Sequence, residues 1–187
     1  MRAPILASCL AVLAQAACRS TSAPTPLTAP PPPTAAPVST VSPSSPAAFH
    51  VLRLRPGQDL KAELQAFAKT RSLRAAFVAS AVGSLTDVHL RYANREAGTR
   101  QSGHFEIVSL SGTLAADGMH VHMSVADGTG AVTGGHLLDG NRVYTTAELV
   151  IGEATDLRFG REVDSTYGYR ELTVERRRRG PGQAPGQ

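Results

Sequence analysis

The fold is decided by residues 103–138, GHFEIVSLSGTLAADGMHVHMSVADGTGAVTGGHLL, where apolar residues recur along segments separated by turns rich in Gly and Asp. Alternation of apolar and polar residues is typical of half-buried β-strands, and Gly and Asp favour the tight turns that join antiparallel neighbours. The stretch therefore predicts three successive antiparallel strands, at His104–Leu114, Met119–Val125 and Ala131–Leu138, with turns at residues 115–118 and 127–130.

One helix and several more strands are predicted around this stretch. Asp59 is suited to cap a helix, because Leu60, Leu64, Phe67 and Ala68 follow at the i, i+4, i+7 and i+8 spacing of one apolar face that ends near Thr70. Residues 94–102 are predicted to form a polar loop. The remaining strands are predicted at Phe49–Arg55, Arg74–Val82, Leu85–Ala93, Arg142–Ile151 and Leu172–Glu175. One early helix with many strands is an α+β arrangement of an antiparallel sheet flanked by one or two helices.

Three histidines are predicted to share one face of this sheet. His120 and His122 are two residues apart on a strand, so their rings leave the same side with Cα atoms about 7 Å apart. If the following turn has three residues, 127–129, position 120 pairs with His136, and all three rings meet. Gly134 and Gly135 would allow a bulge or a close backbone approach beside them.

Three imidazoles at this spacing favour a zinc site. Neutral His nitrogens bind Zn²⁺ at about 2.0–2.1 Å, and three protein ligands leave a fourth position for water, as catalytic zinc sites do. Glu106 and Glu148 are the acids expected to approach the sheet face, as a partner of a ligand or as a base. No catalytic residue is assigned. The alternative interpretation is three ordinary surface or hydrogen-bonded histidines.

Four segments of the chain resemble one known family. They are RPGQDL at 55–60, GSL at 83–85, GHFEIVSLSGT at 103–113 and GGHL at 134–137, in that order. Their sequence and order are similar to those of the PPC (plants and prokaryotes conserved) domain, over residues from about Phe49 to Ile151. The GxFEIxSLSG run is the most specific part of the likeness.

The resemblance implies an antiparallel sheet flanked by helices and a homotrimer. It also implies a zinc ion held by the HxH and GGH histidines, which correspond to His120, His122 and His136. Plant members join the domain to AT-hooks that bind DNA. This chain lacks the RGRP core of an AT-hook, which Arg176–Arg179 followed by Gly180 only echoes.

The ends of the chain predict export. Residues 1–17 combine Arg2 with a short apolar run, as a signal peptide does. Two processing patterns fit: an AxA site at residues 14–16, and a lipobox at 15–18 that would make Cys18 a lipidated N-terminus. Gln15 departs from the usual lipobox Leu. The lipid anchor is favoured because the protein after cleavage would contain no other Cys, and it predicts a periplasmic or membrane-anchored bacterial lipoprotein.

Composition divides the remaining chain into a linker, a domain at 49–175 and a basic tail at 176–187. Nine of the 13 prolines fall within the uncharged segment 20–48, and residues 18–48 are therefore interpreted as a disordered linker. Residues 50–175 hold 13 basic and 15 acidic residues, although the whole chain has a net charge of +4. The domain itself therefore has a net charge of −2. It lacks the basic surface of a nucleic-acid-binding protein, and nucleic acid is not an expected partner.

Two functions remain open from the sequence. The first is a trimeric zinc-binding module with no assigned substrate or small-molecule ligand. The second is an enzyme that uses zinc-activated water, or a metal site of the cupin kind. A cupin would carry a Glu a few residues after His122, where Ser124–Asp127 stand here, and this disfavours it.

Overall fold

The computed structural model describes residues 43–177. The predicted signal peptide, Cys18, most of the predicted linker and residues 178–187 lie outside the described part. In chain order the elements are β1 (Ala47–Leu54), α1 (Leu60–Thr70), β2 (Ala76–Arg91), β3 (Thr99–Ala115), β4 (Gly118–Ala126), β5 (Val132–Leu137), β6 (Val143–Ala154), β7 (Leu157–Val163) and β8 (Arg170–Arg176).

An antiparallel sheet dominates the described chain. Six strands pair in the order β1-β6-β2-β3-β4-β5, and β7 pairs with β8 in a separate two-stranded sheet. The end of β2 also pairs with β5, at Leu90 with Leu137 and Arg91 with His136. Strands β2 to β5 therefore close into a ring, with an inner face that is buried and an outer face that meets solvent. The predicted antiparallel sheet is confirmed, with one short helix.

Helix α1 forms as its sequence predicts. The Asp59 carboxylate accepts a hydrogen bond from the Ala62 amide at 3.0 Å, which satisfies a donor that the first turn leaves unpaired. Leu60, Leu64 and Ala68 are buried in the core against the sheet. Because these side chains recur every four residues, they share one face of α1, and that face covers the inner face of the sheet.

Strand β2 corrects the prediction of two strands at 74–82 and 85–93. The chain continues through Gly83-Ser84 as one strand of 16 residues, with register shifts on both neighbouring strands near this point. Gly83 adopts φ +148° and lies directly against the backbone of Thr146 and Ala147. The glycine therefore bends a continuous strand, and the Gly signal marks close packing instead of a turn.

Two further predictions differ from the structure. The polar loop predicted at 94–102 is shorter, because β3 begins at Thr99, which pairs with Leu90. Strand β7 was not predicted, and β8 is longer than the segment predicted at 172–175. β7 buries only Leu157 and β8 is exposed at all but one position, so the apolar alternation in each strand is too short to mark a half-buried strand clearly.

A buried amide holds the ring of strands closed beside the histidines. Asn141 is fully buried, and its Oδ1 accepts from the His89 amide of β2 at 2.8 Å. Its Nδ2 donates to the carbonyl of Leu138, directly after β5, at 2.5 Å. Asn141 thus joins the ends of β2 and β5, the strand that carries His136.

Within residues 43–177, no helix has the length and apolar character that crossing a bilayer requires.

Candidate metal centre

The alternation of β4 places two histidines on the outer face of the ring. Val121, Met123 and Val125 are buried, while His120 and His122 are exposed, as their spacing predicts. His136 lies on the neighbouring strand β5 and is half-buried. The sheet therefore turns all three rings outward, away from the core.

The predicted hairpin register is wrong by two residues. The turn has five residues, 127–131, so that His122 and not His120 pairs with His136. Asp127 extends the turn because its carboxylate accepts from the amides of Thr129 and Ala131. A shift of two residues preserves the side-chain parity of a strand, so the three rings still share one face.

Three ring nitrogens converge at one point. Nε2 of His122 lies 3.2 Å from Nε2 of His120 and 3.0 Å from Nδ1 of His136. Nε2 of His120 lies 3.2 Å from Nδ1 of His136. An ion with bonds of about 2.0–2.1 Å separates its ligands by about 2.8–3.0 Å in octahedral and about 3.3–3.4 Å in tetrahedral geometry. The observed separations lie between these values, so the three residues fit one metal ion.

Hydrogen bonding among the histidines cannot satisfy this triangle. Each ring nitrogen offers either one N–H or one lone pair in the ring plane, so it serves one partner at a time. Each of the three nitrogens has two neighbours at bonding distance. A single cation accepts all three lone pairs together, and the arrangement is therefore that of a ligand set.

Gly135 explains how β5 approaches β2 so closely. A Cβ at Gly135 would lie 2.6 Å from the carbonyl oxygen of Arg91 on β2. The close backbone approach expected at the paired glycines therefore occurs between two strands, and it brings His136 to the ring of strands. A Cβ at Gly134 would lie 2.7 Å from the Ser124 hydroxyl on the other neighbour, β4.

Burial and two arginines favour the neutral form of His120 and His136. Burial, followed by the charge of Arg161, lowers the pKa of His120 below its ordinary value of 6.5. Burial, followed by the charge of Arg91, lowers the pKa of His136. The neutral ring is the form that binds a metal, so these surroundings reduce competition from protons near neutral pH.

The carboxylates near the cluster are not the predicted ones. Glu106 pairs with Ala126, four residues and about 13 Å along β4 from His122. Glu148 lies on β6 between β1 and β2. The acids that line the cavity beside His120 and His136 are Glu96 and Glu171, and the charge of Glu171 partly opposes the lowering of the His120 pKa.

Sequence reasoning missed the residues that the β7–β8 hairpin brings to the cluster. Nη1 of Arg161 lies 3.4 Å from Nδ1 of His120, and its Nη2 donates to the Thr113 hydroxyl at 3.0 Å. Glu171 and Tyr169 line the same cavity. These residues follow the histidines by at least 25 positions in the chain, and no local spacing indicates that they return to the cluster.

The other three histidines have ordinary structural contacts, as the sequence suggested. His89 Nδ1 lies 2.7 Å from the Asp139 carbonyl oxygen. The His104 ring packs on Tyr144, with ring centroids 4.5 Å apart. His50 lies 3.7 Å from a carboxylate oxygen of Glu153.

The lowered pKa values predict a pH-dependent stability of the metal-free protein. As the pH falls below 6.5, the ordinary histidine value, the unfolded chain takes up protons at positions 120 and 136 before the folded chain does. The free energy of unfolding should therefore decrease with falling pH until the folded rings also become protonated. Urea unfolding at several pH values checks this, and a H120Q/H136Q variant should show a smaller decrease. An equal decrease in the variant would contradict the assignment.

Comparison with known proteins places this chain in one family, the family that its sequence resembles. The sequence profile of the Plants and Prokaryotes Conserved (PCC) domain matches residues 42–155, more than half of the chain. The bifunctional protein GlmU of Synechococcus sp. (strain JA-3-3Ab) is 49% identical over 125 residues, which cover 67% of this chain and 20% of that protein. The chain thus spans about a fifth of the length of that relative.

Two solved structures resemble the fold. A hypothetical protein from Salmonella enterica is 48% identical with a TM-score of 0.71, covering 72% of this chain and 98% of that one. A metal-containing protein from Archaeoglobus fulgidus is 25% identical with a TM-score of 0.60, covering 67% and 93%. Both matches cover nearly the whole of the solved chain.

Proposed function

Since the chain belongs to the Plants and Prokaryotes Conserved domain family, we propose that it is a metal-binding module of that family. His120, His122 and His136 hold one divalent transition metal, with zinc the ion that three imidazoles favour. The observation that carries the proposal is the convergence of three ring nitrogens within 3.0–3.2 Å of one another. The metal-containing relative from Archaeoglobus fulgidus adds support.

The proposal is tested by the metal content of the purified full chain. After exposure to Zn²⁺ and removal of the excess, elemental analysis should find about one ion per chain, as expected for one set of three ligands. Competition with Co²⁺ and Ni²⁺ then gives the relative affinity of the site for each metal. A chain that retains no stoichiometric metal under these conditions would overturn the proposal.

A second candidate function is metal-dependent hydrolysis. Such a metal supplies Lewis acidity to a bound water or substrate oxygen. The observation that favours this candidate is Glu171, whose carboxylate lines the same cavity as His120 and could accept a proton from water there. Hydrolysis of an activated ester by the zinc-loaded chain, lost in E171Q with metal content unchanged, supports this candidate. No turnover above free zinc argues against it.

We propose that the protein is exported and anchored through a lipid on Cys18. The support is the apolar leader at 1–17 and the small residues before Cys18, a pattern typical of lipidated bacterial proteins. Mass spectrometry of the mature N-terminus tests the anchor, since a terminus at Ala17 or an unmodified Cys18 contradicts it.

We also propose a homotrimer, as the family resemblance implies. Exposed apolar side chains on three strands of the sheet support an association, namely Val82, Val108 and Tyr144. Light scattering should give about three times the mass of the single chain that is measured. A monomeric mass would overturn this assembly.

A further inference from the structure

A large cavity beside the histidines is rich in positive charge. Its volume is about 870 Å³, and it is open to solvent on the outer face of β4 and β5. Four guanidinium groups and two carboxylates line it, together with the rings of His120 and His136. The charged residues are Arg91, Arg95, Arg161, Arg170, Glu96 and Glu171.

Three of these guanidinium groups, those of Arg91, Arg161 and Arg170, are held by neutral acceptors. Arg161 donates to the Thr113 hydroxyl at 3.0 Å and to the Arg170 carbonyl at 3.4 Å. Arg170 donates back to the Arg161 carbonyl at 2.7 Å, and Arg91 donates to the Arg95 carbonyl at 3.2 Å. Within the described residues none of the four forms an ion pair with a carboxylate closer than 4.0 Å. The charges of Arg91, Arg161 and Arg170 are therefore oriented by the protein and available to a ligand.

His120 presents a second reason for an anion at this place. When Nε2 of His120 binds a metal, the neutral ring carries its proton on Nδ1. Nη1 of Arg161, itself a donor, lies 3.4 Å from that atom. Metal-bound histidines ordinarily donate their other N–H to an oxygen acceptor. Two donors that face each other at this distance require an acceptor that serves both.

We propose that this cavity binds a small oxyanion, a phosphate or carboxylate group, whose oxygens accept from Arg161 and Arg170 beside the metal held by the three histidines. The inference rests on the proposed metal function and names the class of its ligand. Guanidinium groups suit this role because their paired N–H donors match the oxygens of both groups. Tyr169 and Met119, on the wall of the cavity, offer apolar surface to the organic part of such a ligand.

The β7–β8 hairpin determines this specificity. Arg161 lies on β7 and Arg170 on β8, while the family match ends at residue 155, before either strand. The histidines come from the matched domain, and two of the four arginines come from the segment that follows it. The hairpin thus adds anion recognition to a metal centre that the domain itself supplies.

The test is a titration of the Co²⁺-loaded full chain with inorganic phosphate and, separately, with acetate. Binding is followed by the visible absorption of Co²⁺ and by calorimetry. We expect saturable binding of at least one of the two anions, weakened at least about tenfold in R161Q and in R170Q, because charged hydrogen bonds of this kind dominate oxyanion binding. The control is R158Q, which removes the same charge from an exposed site on β7 that does not line this cavity.

The outcomes separate this inference from the metal proposal. Metal content is measured in every sample. If the wild-type chain holds cobalt and neither anion binds, or if R158Q weakens binding as much as R161Q and R170Q do, the oxyanion site is overturned and the metal module stands. If the wild-type chain holds no metal, both the metal proposal and the oxyanion site are overturned. If R161Q loses its metal, the anion affinity of R170Q alone tests the oxyanion site. The Arg170 guanidinium contacts the Arg161 carbonyl and not a histidine, so R170Q should keep its metal.

Discussion

Replacing His122 with alanine should raise the dissociation constant for Zn²⁺ at least about a hundredfold, since the loss of a group that merely orients a ligand already costs about 10–100-fold. His122 is suited to this test because its Nε2 lies within 3.2 Å of a nitrogen on each of the other two rings. Its side chain is exposed, so its removal leaves the core intact. Calorimetry and competition with a chelator measure the affinity.

The matched control for this variant is H104A. His104 is also an exposed histidine of the same sheet, but its ring packs on Tyr144, away from the cluster. H104A should keep the wild-type Zn²⁺ affinity. Because a bound ligand stabilises the folded chain by mass action, added Zn²⁺ should raise the melting temperature of wild type and H104A but not of H122A. Equal affinity in H122A and wild type would show that the three nitrogens do not share an ion.

Replacing Gly112 with alanine should lower the free energy of unfolding by about 3–5 kcal/mol, the range that backbone strain combined with overpacking produces. Gly112 on β3 adopts φ +148° and pairs with Val121 on β4. An added Cβ would overlap the carbonyl oxygen of His120 and lie 2.6 Å from the Cα of Val121. Both obstacles are backbone, which cannot rotate away. Urea or thermal unfolding of the metal-free chain measures the loss.

G118A is the control for G112A. Gly118 lies at the start of β4, and an added Cβ there meets nothing within 4 Å. Its effect should stay within about 0.5 kcal/mol, as for surface substitutions that create no strain. Because the carbonyl that Gly112 contacts belongs to His120, any folded G112A should also bind Zn²⁺ more weakly than G118A. Similar stabilities of the two variants would contradict the close approach of β3 to β4.

The sequence predicted the elements whose causes are local. The Asp59 cap and the apolar spacing from Leu60 to Ala68 depend on residues within a few positions, and α1 forms there. The alternation along β4 likewise depends on the strand period alone, so it predicted that His120 and His122 point away from the core.

For the pairing of β4 with β5, the sequence predicted which face each side chain occupies but not which residues lie opposite each other. The sequence suggested that His120 pairs with His136, but the five-residue turn pairs His122 with it. The Asp127 contacts that lengthen the turn are specific to the folded loop. The prediction that the rings meet survived, because a shift of two residues leaves every side chain on its face.

By itself, the sequence determined the helix, the strand faces, the family likeness and the choice of His120, His122 and His136, because each follows from spacing within one segment or from a local motif. Only the tertiary structure decided what surrounds them. Arg161 and Glu171 reach the cluster because the β7–β8 hairpin places Arg161 against His120 and Thr113 and Glu171 in the same cavity, whereas Glu106 and Glu148 lie elsewhere on the sheet. Contacts between distant segments depend on how whole strands pack, and strand periodicity carries no information about that packing.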